Sequence, residues 1–229
     1  MRSIPLKLCL TNIAHSPRSV PDGPVRPEIF MTIDPVNERI LDAAQAEFAR
    51  HGYHQAVVSD IATRAGVGKG TVYRRFGDKQ SLFASLVRRG MDELQKGVET
   101  AVDTETDPKQ ALLAIWNVYF DFFERARDLI AITILEGVKT TSGIHEELKQ
   151  EAEQILVMFS RILAKGMDEG FFKSGDPDKM AFLLNEFIWS VLRGAVFFGY
   201  NPRQEFGPVM AEIFLYGTVQ ADIKEINRK

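Results

Sequence analysis

From Asp34 onward the apolar positions recur at helical spacing, and the pattern persists to the end of the chain. Asp34 is a capping residue, Pro35 suits a first helical position, and Ile40, Ala44 and Phe48 follow at intervals of four up to Gly52. A second helix is predicted over about 59–65, with Ile61, Ala62 and Ala65 inward and Gly66 as its stop. A third follows over about 70–76, ended by Gly77 as a left-handed cap. Asp78 then opens a long helix to about Thr100.

Beyond Pro108 a second block begins. Leu112, Ile115, Trp116, Tyr119, Phe120 and Phe123 form one apolar face, and a separate short helix is predicted over about 127–136. Leu148, Ala152, Ile155, Leu156, Phe159, Ile162 and Leu163 mark the next helix, which breaks at Gly170. Residues 178–199 and 205–225 make two more, parted by Asn201 and Pro202. The fold class is all-α, about nine helices, without a strand pattern or an internal repeat. Residues 1–33 carry Pro5, Pro17, Pro21, Pro24 and Pro27 without periodicity and read as a flexible arm. Met31 offers an alternative start that would remove the first 30 residues.

Charge sharpens this division. The net charge of −3 hides nine Lys or Arg against five acids in residues 37–89, four against three in 1–34, and 15 against 23 in the remainder. A basic block on an acidic body points to a polyanionic partner for the block alone. Cys9 is the only cysteine, which supports neither an intrachain disulfide nor a cysteine metal site and suggests a reducing, cytoplasmic setting. No metal site, cofactor or membrane span is expected, and Pro5 and Lys7 make the N-terminus a poor signal peptide.

Residues 65–79, AGVGKGTVYRRFGDK, invite two readings. A nucleotide phosphate loop needs a glycine five residues before its Gly-Lys pair, a hydroxyl after it, and a preceding strand. With Gly68 and Lys69 as that pair, Thr63 replaces the glycine, Gly70 replaces the hydroxyl, and DIATRA is helical in pattern. A helix, a glycine turn and a second helix are instead the elements of a helix-turn-helix, whose second helix enters the major groove. Val72 and Phe76, four apart, face the core. Thr71, Arg74 and Arg75 then point outward, and Tyr73 reaches the groove edge or packs inward. Gly68 and Gly70 allow the helix N-terminus, with its unpaired amides, to approach phosphate closely.

The run from Ile40 to Phe83, with A-G-V-x-K-G-T-x-Y-x-x-F followed by D-K-x-x-L-F, resembles the DNA-binding domain of TetR/AcrR transcriptional regulators. The resemblance implies an arm at 1–33, a DNA-binding domain at 34–82, and a helical ligand-binding and dimerisation domain at 83–229. It implies contacts to DNA by Ser59, Lys69, Gly70, Thr71, Tyr73, Arg74, Arg75 and Lys79, with Arg75 standing where the family often has histidine. Two departures are Val57, where the family places a Ser or Thr cap, and Gly68, where serine is common. Ser59 is therefore either a substitute cap or a DNA contact.

A homodimer reading a palindromic operator follows from the same resemblance, with a regulator released by a largely apolar small molecule. Interface candidates are Leu184, Ile188, Val191, Leu192 and Ala195 with Val209, Met210, Ile213 and Phe214. Pocket candidates are Trp116, Tyr119, Phe120, Phe123, Phe159, Trp189 and Arg193, though such stripes also make plain core. Glu186 and Arg193, seven apart, form either a polar insert in the pocket or an ion pair at the interface. The sequence offers no constellation for catalysis. The competing reading is a helical ligand-binding or interaction protein without sequence-specific DNA binding.

Overall fold

The computed structural model describes residues 34–135 and 142–218, with side chains described outside 135–149, 151 and 215–218. The expected N-terminal arm, Cys9 and the part of the expected last helix beyond residue 218 lie outside the described residues. Those described form eight helices and no strand: α1 (Pro35–Gln55), α2 (Val58–Ala65), α3 (Lys69–Phe76), α4 (Lys79–Thr104), α5 (Pro108–Leu135), α6 (Ser142–Asp168), α7 (Pro177–Phe198) and α8 (Pro202–Thr218).

Local chemistry sets most of these boundaries. The Asp34 carboxylate accepts the Val36 amide at 2.8 Å, and Gly52, at φ 71°, interrupts α1 where the apolar spacing ends. Gly66 closes α2 in the left-handed region, at φ 67°. Asp78 accepts the Ser81 amide at 2.7 Å and so caps α4. The helix expected over 127–136 is not separate: α5 runs through it. Nothing in Glu124-Arg125-Ala126-Arg127-Asp128 breaks a helix, and only the direction of the apolar stripe changes there.

That change of direction lets α5 serve two hydrophobic clusters. The first gathers Ile40, Ala44 and Phe48 of α1, Ile61 of α2, Val72 of α3 and Leu82, Phe83 and Leu86 of α4, closed by Leu129 and Ile132 of α5. The second joins Leu94 and Val98 of α4 to Ile115, Tyr119 and Phe123 of α5, Phe159 of α6 and Leu184, Ile188 and Leu192 of α7. Helix α4 passes from one cluster to the other.

Two contacts fix α4 in place. At Gly97 the helices α4 and α5 come so close that an added Cβ would lie 2.6 Å from Val118 Cγ1. Nearer the first cluster, Arg89 Nη1 donates to Asp42 Oδ1 at 2.7 Å and Glu38 Oε2 at 3.2 Å, and Nη2 donates to Gln45 Oε1 at 2.9 Å. Those three acceptors lie along one stripe of α1, so α4 and α1 are cross-linked by charge as well as by packing.

Helix α7 is long and apolar enough, by length and composition, to cross a membrane. Ala181, Leu184, Ile188, Leu192 and Ala195 nevertheless form a fully buried stripe within the second cluster, the behaviour of a core helix.

Candidate nucleic-acid interface

Helix α3 is held by one side and offers the other. Val72 is buried and Phe76 packs against the same cluster, four residues along. Lys69, Gly70, Tyr73, Arg74 and Arg75 are exposed, and Thr71 is half-buried at the first turn. The helix begins at Lys69 rather than Gly70, with Gly68 as an extended cap residue that supplies no side chain. Its carbonyl accepts the Thr71 amide at 2.8 Å, and an added Cβ at Gly70 would meet no atom within 4 Å. The Lys69 ammonium lies 5.8 Å from the centre of the Tyr73 ring, one turn along. A cation and an exposed phenol thus share a face beside a bare helix N-terminus, a combination suited to phosphate and base edges.

The flanking cations are more engaged. Arg75 Nη1 donates to the Asp34 carboxylate, and to Asn37 Oδ1 at 2.8 Å. Asp34 therefore caps α1 and anchors α3 at once, and the Arg75 guanidinium, ahead of the Val36 amide, holds its carboxyl below the ordinary range. Lys79 Nζ donates to the carbonyls of His54 at 3.0 Å and Ala56 at 2.9 Å, and lies 4.8 Å from the Tyr53 ring centre. It ties the start of α4 to the last turn of α1 and the residue just after it. Both residues keep exposed surface but fix the reading helix from within the chain.

Ser59 is not the cap of α2, which starts one residue early at Val58 after an uncapped Val57. The Ser59 carbonyl accepts the Thr63 hydroxyl at 2.9 Å, and its own side chain is half-buried on the second residue of that helix. Asp34, Asn37 and Arg89 were not among the sequence candidates. The pairs they make span 38 to 51 residues, beyond any local pattern, although the capping type of Asp34 was visible.

The candidate effector residues are brought together, but as filled core. Trp116, Tyr119, Phe120, Phe123 and Phe159 are all buried, and Trp189 packs edge-on to Tyr119 with ring centres 5.8 Å apart. The Tyr119 hydroxyl donates to Asn185 Oδ1 at 2.6 Å, and burial, followed by the nearby Glu186, pushes its pKa up. Trp116 Nε1 is buried without a hydrogen-bond partner among the described residues. Arg193 does not join this group. It lies on the outer face of α7, 3.8 Å from Glu186. A surface pocket of about 210 Å³ lies to one side, lined by Phe123, Glu124, Arg127 and the Gly199–Pro202 turn.

Most of the interface candidates lie inside the chain: Leu184, Ile188, Val191, Leu192, Ala195 and Met210 are buried in its own core, and the half-buried Phe214 packs on Trp116 and Phe187. Only Val209 and Ile213 of the expected set are exposed. The exposed apolar positions of α7 are instead Phe182, Leu183, Phe197 and Phe198. The helix is apolar on several sides, and packing against α5 and α6 selects which side is inner.

Comparison with known proteins agrees with this arrangement. Residues 40–86 match the family described as bacterial regulatory proteins, tetR family, and residues 108–190 match the tetracyclin repressor-like C-terminal domain. The fatty acid metabolism regulator protein of Bacillus subtilis is 28% identical over 143 residues, 62% of this chain and 74% of that protein. The transcriptional activator FasR of Mycolicibacterium smegmatis is 41% identical over 86 residues, 38% of this chain and 39% of FasR. Among solved structures, the transcriptional regulator FadR from Bacillus subtilis, in complex with stearoyl-CoA, superposes with a TM-score of 0.66 at 25% identity, covering 79% of this chain and 98% of FadR. With a helix-turn-helix at its N-terminal match and a helical domain at its C-terminal match, the chain belongs to the TetR family of DNA-binding transcriptional regulators.

Proposed function

We propose that the protein represses transcription by binding a palindromic operator as a homodimer, and that a largely apolar small molecule releases it. The observation that carries the reading is the exposed α3 face, where Lys69, Thr71, Tyr73 and Arg74 flank a helix N-terminus free of side-chain obstruction. Thr71 and Tyr73 contact phosphate or base edges, Lys69 and Arg74 select sequence, and Ser59 touches DNA from α2. Arg75 and Lys79 combine a phosphate contact with the internal bonds described above. Residues 34–82 act as the reading head and 83–229 as the effector and dimer domain.

An effector entering among Trp116, Tyr119, Phe159 and Trp189 has to part rings that are packed together, and its differential affinity for the parted state shifts the population away from DNA. The unsatisfied Trp116 Nε1 is a donor that an oxygen on such a molecule would engage. The bound stearoyl-CoA of FadR favours a long acyl group as the first class to try. In this reading the second subunit covers Phe182, Leu183, Phe197, Val209 and Ile213.

The test is selection of bound duplexes from a random pool with the full chain, followed by titration of the winner at several salt concentrations. A palindrome is expected, with log affinity falling linearly against log salt. Tyr73→Ala should abolish retention while the fold persists. Failure to select any duplex would favour the competing view, a helical ligand-binding protein without sequence-specific DNA binding.

A further inference from the structure

The guanidinium of Arg75 is gripped at one end and unspent at the other. Its Nη1 donates to Asp34 Oδ2 and to Asn37 Oδ1, the latter at 2.8 Å, which uses both hydrogens of that nitrogen. Nε and Nη2 make no hydrogen bond among the described residues. Their N–H groups are the parallel fork with which a guanidinium takes two oxygens at once. The residue is exposed on α3, with 27% of its side chain open to solvent.

The grip is itself fixed. Asp34 Oδ1 accepts the Val36 amide at 2.8 Å as the cap of α1, which leaves Oδ2 for Arg75, and Asn37 adds its oxygen from the first turn of the same helix. An ion pair made only to join α1 to α3 is strongest when both carboxylate oxygens meet the fork. Asp34 instead divides its oxygens between a backbone amide and Nη1, and the fork stays free. An arginine side chain that is loose in the unbound protein loses rotamer freedom when it meets a ligand, and this one is ordered beforehand.

We infer that Asp34 and Asn37 are positioning residues for DNA binding: they hold Arg75 by Nη1 so that its Nε and Nη2 edge meets one backbone phosphate. A phosphate fits because two of its oxygens match two parallel N–H groups, whereas among base edges only guanine offers such a pair of acceptors. The consequence runs against simple charge. An acid beside a DNA-facing helix weakens binding by repulsion alone, yet Asp34 strengthens it by fixing the arginine. The inference rests on the DNA reading proposed above and adds to it two residues of α1, outside the reading helix.

Fluorescence anisotropy of the full chain on the selected duplex, at several salt concentrations, tests it. Serine caps a helix about as well as aspartate, so Asp34→Ser keeps the start of α1 and loses the reach to Arg75. Affinity should fall about tenfold although a negative charge has been removed. The slope of log affinity against log salt should become shallower by about 0.9, the share of one phosphate. Asn37→Ala leaves the cap untouched and should move both quantities the same way by less. In an Arg75→Ala background Asp34→Ser should change nothing further, because its effect passes through Arg75. Circular dichroism should show the parent's helicity in each variant. Affinity that is unchanged or raised in Asp34→Ser would overturn the inference. So would a loss that persists without Arg75, which would assign the effect to the helix start. A parent chain that retains no duplex would remove the DNA reading itself, a result distinct from both.

Discussion

Adding one methyl group at Gly70 separates the stability of the reading helix from its approach to DNA. Gly70 is the second residue of α3, is exposed, and is absent from the glycines of positive φ, so alanine fits its backbone. The new Cβ meets no atom within 4 Å, so nothing in the free chain resists it. Alanine is preferred to glycine within a helix by about 0.8–1 kcal/mol, and less than that in a first turn. The expected gain is therefore a few tenths to about 1 kcal/mol, which for a chain of this size raises Tm by about 1–4 °C. On DNA the same methyl occupies the space through which phosphate reaches the amides of α3. Displacing that contact should weaken operator binding by about tenfold or more, equivalent to about 1.4 kcal/mol. The slope of log affinity against log salt should stay as in the parent, because no charge is removed. Calorimetry on the free protein and fluorescence anisotropy on the selected duplex read the two quantities. Gly70→Ala with raised Tm and unchanged affinity would refute the close approach, and a lowered Tm would refute the open surroundings of the residue.

Two further outcomes follow from the internal bonds. Tyr119→Phe removes the donor to Asn185 and leaves a buried amide oxygen unpaired, so chemical denaturation should show a loss of about 1–3 kcal/mol with an unchanged m value. Asp34 has a carboxyl pKa below its ordinary value in the folded chain, so the stability it contributes is present above the unfolded pKa and is lost as pH falls through the folded one. Arg75→Ala, which removes the largest cause, should flatten this part of the acid unfolding profile below about pH 4, as followed by circular dichroism.

The parts of this molecule that were legible in sequence are those governed by short-range geometry. Val72 and Phe76 had to share a face because they are four apart, and that spacing turned Thr71, Arg74 and Arg75 outward, of which Arg74 and Arg75 are exposed and Thr71 half-buried. Asp34 and Asp78 announced helix starts by type, and Gly66 announced a stop. Helix α7 was different: Phe182, Leu183, Leu184, Phe187 and Ile188 place apolar side chains around most of its circumference, so periodicity could not decide which stripe the core would take. Packing against α5 and α6 chose the Leu184 side and left Leu183 outside. The pairing of Arg75 with Asp34 was not legible, because the two lie 41 residues apart and no local pattern reports such a pair. The acid and base of α7 were noticed at sequence level, but their place on the outer face required the fold.

If α4 were to tilt about the slot at Gly97, its two arms would be unequal. With Val118 seated against that glycine, the helix has no room for a side chain toward α5 at this level. Below the pivot, the arm to Lys79 is 18 residues or about 27 Å, and above it the arm to Thr104 is seven residues or about 10 Å. A tilt of about 5° that shifts the short end by about 1 Å carries the long end through more than about 2 Å. Leu82, Phe83, Leu86 and Arg89 bind that long end to α1 and its neighbours, so under the proposed effector response a displacement about this contact would be larger at the end beside the reading helix.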